Sequence, residues 1–195
     1  MKPFMIWWLF GVAVLAGLPL YTLPARLSLP RGRRPGLLPL TLAEAAEQLR
    51  ASGQSGWALV EAARALVGTR MAYCRRNSFE RYPRAFARGY GYCVQHAEAL
   101  HDLLTRLGFQ AEMVHAFRCR FPHDKVTSHA WVQVTLGDEI RSIDPVFYVP
   151  ERGQISFSPL SQVYPLSLLI RLLSYWGAPA VNAHRFYRTG KDFEG

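Results

Sequence analysis

Cysteine is scarce in this chain. Three cysteines in 195 residues are too few for a disulfide scaffold, and an odd number leaves at least one thiol without a partner in the chain. A zinc site is a weak hypothesis, because no Cys-x-x-Cys occurs and the helical pair His96 and His101 lies five positions apart, a spacing that separates two side chains around a helix. His115 stands among apolar residues and is interpreted as a core histidine whose polar groups are satisfied. The sequence therefore predicts neither a bound metal nor a cofactor.

Acidic residues are also few. The chain has 14 Asp and Glu against 23 Lys and Arg, and its formal net charge is +9. Such a charge favours anionic neighbours, and anionic lipid explains it as well as any other partner. The arginines are scattered, with one tight cluster at Arg31, Arg33 and Arg34, and no RNA-binding signature accompanies them. We therefore predict no nucleic-acid partner.

The N-terminus is apolar. Residues 4–23 carry no charge, and a run of about 20 such residues is long enough to span a bilayer as a helix. Aromatic side chains that favour the membrane interface lie near its ends: Trp7, Trp8 and Tyr21. An uncleaved anchor is favoured, and a signal peptide cleaved after Ala16 is the alternative. Residues 24–40, rich in proline and arginine, are predicted to be an extended linker.

Charge around the apolar run predicts its orientation. Lys2 is the only charged residue before it, whereas Arg26 and the cluster at 31–34 follow it. The positive-inside bias then places the remaining domain on the cytoplasmic side of a single-pass membrane protein, where a thiol stays reduced. A cleaved signal would reverse this orientation and would permit a disulfide between Cys74 and Cys119. The predicted division is a membrane segment at 1–25, a linker at 26–40, a domain at 41–180 and a loose polar tail at 181–195.

The periodicity of the domain changes once along the chain. Helical spacing predicts three helices, one that begins at Thr41, one at 56–66 and one at 93–107. Thr41 and Glu44 form a capping box at the start of the first. A period of two then predicts strands at 111–121, 129–136 and 139–143, while 74–92 is predicted to be irregular. The apolar segment 164–176 is too short to span a membrane and is interpreted as a helix docked on the core, with an in-plane membrane helix as the alternative. The fold class is α+β, with helices packed on an antiparallel sheet.

Cys93 is a candidate nucleophile. It follows Gly89-Tyr90-Gly91-Tyr92 and begins a predicted helix. A helix N-terminus favours a reactive thiolate, and its free N–H groups can stabilise an oxyanion. The competing interpretation is a small buried hydrophobic residue at a helix start.

His129 and Asp144 are candidates for a base and its orienting carboxylate. A two-residue turn at Gly137-Asp138 pairs Leu136 with Glu139, and the same register puts Trp131 opposite Asp144. His129 then lies diagonally across from Asp144 on one sheet face, within reach of a hydrogen bond. A nucleophile with a base and an orienting carboxylate is the arrangement that covalent catalysis by a thiol requires.

These motifs resemble the transglutaminase-like superfamily, whose core is related to the papain fold. The likeness covers about residues 56–149: Gly91-Tyr92-Cys93 at a helix start, His129-Ala130-Trp131-Val132 on a strand, and Asp144-Pro145 after the next strand. The resemblance implies a Cys-His-Asp triad that attacks amides through an acyl-enzyme without a metal. Some members use a Trp upstream of the Cys as an oxyanion donor. Here the nearest is Trp57, which leaves Tyr90 and Tyr92 as closer candidates.

The resemblance and the apolar N-terminus together imply a membrane-tethered thiol hydrolase or acyltransferase acting on peptide-type amides, with hydrolysis favoured over cross-linking. Its expected partners are a peptide or protein substrate and the membrane. The alternative is a non-catalytic binding or assembly module that retains the fold, and a metal-binding protein is the weakest of the three hypotheses. The sequence assigns no particular substrate and no oligomeric state.

Overall fold

The computed structural model describes residues 17–190. Most of the apolar N-terminal run therefore lies outside the described residues, and 17–27 form the helix α1. Between residues 17 and 190, no helix is both long and apolar enough to cross a membrane. The remaining helices are α2 (Leu42–Ala51), α3 (Gly56–Arg70), α4 (Tyr82–Arg88), α5 (Cys93–Arg106) and α6 (Leu168–Thr189).

The helices and strands together form a mixed fold around one antiparallel sheet. Its long strands are β3 (Gln110–Arg120), β4 (Val126–Leu136) and β5 (Glu139–Ile143), and they form the predicted meander. The short strands are β1 (Ala72–Tyr73), β2 (Tyr90–Gly91), β6 (Tyr148–Val149), β7 (Gln154–Ile155), β8 (Ser158–Pro159) and β9 (Tyr164–Pro165). The last two pair with the free edge of β3, while β1 and β2 pair with each other in parallel.

Helix α5 lies at the centre of the core. It packs on β3 and β4, and α2, α3 and α4 pack against it. Its apolar stripe Ala97, Leu100 and Leu104 is fully buried, as expected of a helix whose apolar face meets a sheet. A second apolar cluster includes Phe121, Trp131, Phe147 and Phe157. Because successive strand residues point to opposite faces, Trp131 joins this second cluster whereas Ala130 and Val132 join the first.

Three predicted segments differ from the structure. The interval predicted to be irregular contains α4. The segment 26–40 lacks a long regular element but packs on the domain instead of extending as a free linker: Arg34 N donates to Arg88 O at 2.8 Å, and Arg88 Nη2 donates to Pro30 O at 2.7 Å. The proline content of segment 26–40 did not predict these contacts, because they join the segment to Arg88, which lies far away in the sequence.

The C-terminal segment predicted to be a loose tail is helical to Thr189. Helix α6 continues across the predicted boundary at residue 180 because its last turns pack on α1. The Tyr187 hydroxyl accepts a hydrogen bond from Ala25 N at 3.0 Å, and Tyr21 Oη lies 3.2 Å from His184 Nδ1. The segment predicted as a helix at 164–176 begins with strand β9 and becomes helical at Leu168. Ile170 packs on the core, while several apolar side chains of the same turns stay exposed: Leu168, Leu169, Leu172, Leu173 and Trp176.

Candidate active site

The β4–β5 hairpin positions the candidate base and carboxylate. Its pairs run from Leu136 with Glu139 to Val132 with Ile143, which is the register predicted from the two-residue turn. Gly137 adopts a positive φ of 60°, a backbone conformation that favours glycine in tight hairpin turns. This register places His129 and Asp144 on the same side of the hairpin.

His129 and Asp144 form a buried hydrogen-bonded pair. The distance from His129 Nε2 to Asp144 Oδ2 is 2.7 Å, and both side chains are 3% exposed. Asp144 Oδ1 accepts two backbone hydrogen bonds, from Val146 N at 2.8 Å and from Phe147 N at 2.6 Å. The turn after Asp144 therefore holds the carboxylate in one orientation, and the carboxylate holds the imidazole.

Cys93 completes the cluster at the first position of α5. Its thiol lies close enough to the His129 imidazole to raise the pKa of that ring, and since Asp144 engages Nε2, Nδ1 is the ring nitrogen left for the thiol. Cys93 is half-buried and lies in the wall of a cavity of about 400 Å³. The structure thus brings together all three residues that the sequence analysis singled out.

The electrostatics of the pair favour a charged imidazole. Burial by itself lowers the pKa of His129, but the Asp144 carboxylate and its hydrogen bond outweigh burial and raise that pKa to about 9. Burial likewise tends to raise the pKa of Asp144, and the facing His129 charge, together with the hydrogen bonds of the carboxylate, holds that pKa below its usual range. At neutral pH the pair is therefore an imidazolium and a carboxylate.

Aromatic rings surround the imidazole. Its centroid lies 4.9 Å from the Phe157 ring, 5.2 Å from Phe121 and 5.3 Å from Phe147, each in an edge-to-face arrangement. Trp131 lies parallel to it at 6.3 Å. These rings exclude water from the His129–Asp144 hydrogen bond, which strengthens it.

Tyr73 is a site residue that the sequence analysis missed. Its side chain lines the cavity together with Cys93. Burial is the largest cause, and the neighbouring Cys93 the next, that raise the pKa of Tyr73 well above its ordinary value. The parallel pairing of Tyr73 with Gly91 brings it beside the start of α5. Strands of two residues carry no detectable periodicity, so no pattern in the sequence marks this pairing.

Of the three aromatic residues considered above as oxyanion donors, only Tyr92 lines the cavity. Trp57 Nε1 donates to Glu139 Oε2 at 2.8 Å on the exposed end of the hairpin, and it does not line the cavity. Tyr90 does not line it either, whereas Tyr92 is a buried part of the wall. Gln95 is fully buried and does not line the cavity; its amide oxygen accepts from Tyr92 N at 3.0 Å and its amide nitrogen donates to Glu80 O.

The other cysteines and histidines form no second centre. Within residues 17–190 no cluster of His, Cys, Asp and Glu is suited to hold a metal ion, and no disulfide joins Cys74 to Cys119 there. His96 is buried, with its ring nitrogens 2.9 Å from Met71 O and 3.0 Å from Tyr92 O. His115 is also buried, in the wall of the cavity, but neither ring nitrogen has a hydrogen-bond partner within the described chain, so the prediction of a satisfied core histidine is wrong.

Helix α6 covers one side of the cavity. Residues between Ile170 and Arg185 contribute to its wall. A buried carboxylate on α5 holds this helix in place, since Glu98 accepts from Arg171 Nη2 and from the Tyr175 hydroxyl, both at 2.7 Å. The site therefore lies between the start of α5, the sheet and α6.

Comparison with known proteins places the chain in a family. Similar solved structures include a candidate cysteine protease from Cytophaga hutchinsonii (15% identity, 72% of this chain and 55% of that one, TM-score 0.44). Others are a candidate protease from Parabacteroides distasonis (16%, 76% and 29%, 0.42) and the periplasmic domain of TgpA from Pseudomonas aeruginosa bound to ethylmercury (21%, 70% and 52%, 0.42). The chain thus spans little more than half of these structures at most.

No curated protein matches the chain in sequence. Residues 43–145, just over half of the chain, match the core of the transglutaminase-like superfamily, and this segment contains Cys93, His129 and Asp144. The chain belongs to the transglutaminase-like superfamily.

Proposed function

We propose that this protein is a thiol hydrolase or acyltransferase that cleaves peptide-type amides through an acyl-enzyme on Cys93. The observation that carries the proposal is the cluster in which the Cys93 thiol lies beside the His129 imidazole and that imidazole is hydrogen-bonded to the buried Asp144 carboxylate. An imidazolium beside the sulfur stabilises a thiolate, which is the nucleophilic form. A non-catalytic module has no need of this arrangement.

In the proposed reaction, the Cys93 thiolate attacks the amide carbonyl and forms a C–S bond. The resulting oxyanion accepts hydrogen bonds from the Cys93 N–H, which has no acceptor within the helix at this first position, and from the Tyr73 hydroxyl. His129 donates its proton to the departing amine as the C–N bond breaks. Asp144 keeps the imidazole oriented and stabilises its charged form.

Deacylation reverses the proton transfer. The neutral His129 accepts a proton from water, the hydroxide attacks the thioester, and the Cys93 thiolate leaves while the imidazolium is regenerated. An amine in place of water gives acyl transfer by the same steps. We favour hydrolysis, as the sequence analysis did, and the acceptor that enters the cavity decides between the two.

A peptide library tests the activity. The wild type, Cys93→Ala and Cys119→Ala are incubated with the library, and products and covalent adducts are identified by mass spectrometry. Cys119 is the matched control, because burial raises the pKa of its thiol to about 11 and leaves it uncharged. Products from the wild type and Cys119→Ala but not from Cys93→Ala support the proposal. Equal products from all three refute it, and binding without products supports the non-catalytic alternative.

We also propose that residues 4–23 tether the domain to a membrane, with the domain on the cytoplasmic side. The length of this uncharged run and the arginines after it support the proposal. Carbonate extraction of membranes from cells expressing the full chain should leave the protein in the pellet, and protease added to intact cells should spare the domain. An N-terminus that begins after Ala16 would instead establish a cleaved signal peptide.

A further inference from the structure

Three positively charged side chains contribute to the wall of the cavity beside Cys93. Arg75 and Arg185 contribute to its wall, and Lys125 does as well. No Asp or Glu of the described segment 17–190 lines it. The rest of the wall is largely apolar, with side chains that include Phe117, Phe121, Leu166, Leu173 and Val181. A cavity with this lining suits a ligand that combines an apolar group with an anion.

Arg75 is the most unusual of these cations. It is only 5% exposed, it lies close enough to Tyr73 to lower the pKa of that phenol, and no ion pair joins it to a carboxylate of the described residues. Burying a charged side chain without a partner is costly. The cost is offset when an anion that enters the cavity supplies the missing partner.

A second buried group in the wall also lacks a partner. Asn182 is 7% exposed, and its Nδ2 has no hydrogen-bond acceptor within the described chain. Arg185 follows it at a spacing of three, so both side chains lie on the same face of α6. The turn Arg75–Asn77 packs against α6, and the Arg76 guanidinium lies 5.1 Å from the centroid of Phe186. This packing brings the Arg75 turn to the part of α6 that carries Asn182 and Arg185.

We propose that Arg75, Asn182 and Arg185 form a carboxylate-binding subsite, and that the substrate is an amide with an apolar group and a nearby carboxylate. The subsite rests on the proposed function, because it assigns a substrate class to the same cavity. The three side chains donate charge-assisted hydrogen bonds to the carboxylate, while the apolar group occupies the aromatic and aliphatic part of the cavity. The carboxylate belongs either to a peptide C-terminus or to an acidic side chain.

Binding to the Cys93→Ala protein tests the subsite without catalysis. The probes are three short peptides: N-acetyl-Ala-Phe with a free carboxylate, the same peptide amidated, and amidated N-acetyl-Glu-Phe. We expect one or both carboxylate-bearing peptides to bind about 10- to 100-fold more tightly than the neutral one, since a hydrogen bond to a charged group contributes this much. A preference for the first identifies a C-terminal carboxylate as the ligand, and a preference for the third identifies an acidic side chain.

Variants of α6 attribute the preference to the subsite. Arg185→Gln and Asn182→Ala in the Cys93→Ala background should reduce the preference for the carboxylate, whereas the exposed Arg188→Gln, which removes the same charge one turn further, should leave it unchanged. Equal binding of all three peptides, or the same loss in Arg185→Gln and Arg188→Gln, overturns the subsite. If the Cys93→Ala protein prefers a carboxylate-bearing peptide but the wild type cleaves no peptide, the proposed activity is refuted and the subsite is still supported.

Discussion

Asp144→Asn isolates the electrostatic role of the buried carboxylate. The substitution removes the charge that faces His129 but retains an oxygen that can accept from Val146 N and Phe147 N, so the turn after the hairpin should persist. In the wild type the pKa of His129 rises from 6.5 to about 9. A shift of this size corresponds to about 3 kcal/mol in favour of the imidazolium.

The variant should therefore have a neutral His129 at pH 7. Without the carboxylate, burial, which is the largest single influence and lowers the pKa of His129, is opposed only by the interaction with Cys93. Because a pKa difference between 6.5 and about 9 corresponds to about a 300-fold change in an equilibrium, the population of the thiolate–imidazolium pair should fall by about that factor. The rate at which iodoacetamide alkylates Cys93 at pH 7 should fall with it.

Two measurements check this reasoning. NMR titration of the His129 ring should show a pKa near 9 in the wild type and below 6.5 in Asp144→Asn, and alkylation should follow the same pH dependence. Glu139→Gln is the control, since it removes an exposed carboxylate from the same hairpin and should change neither. A His129 pKa that stays near 9 in Asp144→Asn, or alkylation of Cys93 at an unchanged rate, would refute the electrostatic account.

Three further outcomes are expected. In the wild type at pH 6, iodoacetamide should label Cys93 much faster than Cys119, because burial raises the pKa of Cys119 to about 11. Peptide mass mapping over time measures the ratio of the two labelling rates, and equal rates would exclude Cys93 as the reactive thiol. The raised pKa of His129 should contribute its full stability below about pH 6.5 and lose it as pH rises through about 9. The Tm of the wild type should therefore fall between these pH values, and a Tm that does not change would contradict the predicted charge on His129. Gly68→Ala should lower the free energy of unfolding by about 1–3 kcal/mol, because a Cβ would lie 2.2 Å from Pro145 O. Chemical denaturation measures the loss, and an unchanged denaturation midpoint would show that the neighbouring chain moves freely.

The position of α6 was only partly predictable. Its apolar spacing indicated a docked helix, but its last turns looked polar and loose in the sequence. Contacts of His184 and Tyr187 with α1 keep these turns helical. The same kind of distant contact holds the arginine-rich segment 26–40 against the domain. Sequence patterns report the local period of a segment and do not report which distant surface meets it.

The sequence by itself determined the elements that depend on local chemistry. The capping box of α2, the start of α5 at Cys93 and the hairpin register follow from nearby residues, and the register placed His129 beside Asp144 because strand geometry relates paired positions by simple counting. Tertiary structure alone decided the approach of Tyr73 to Cys93, the buried Arg75 beside α6 and the raised pKa of His129. Each of these depends on burial and on contacts between segments far apart in the chain, and neither burial nor such contacts can be calculated from residue order alone.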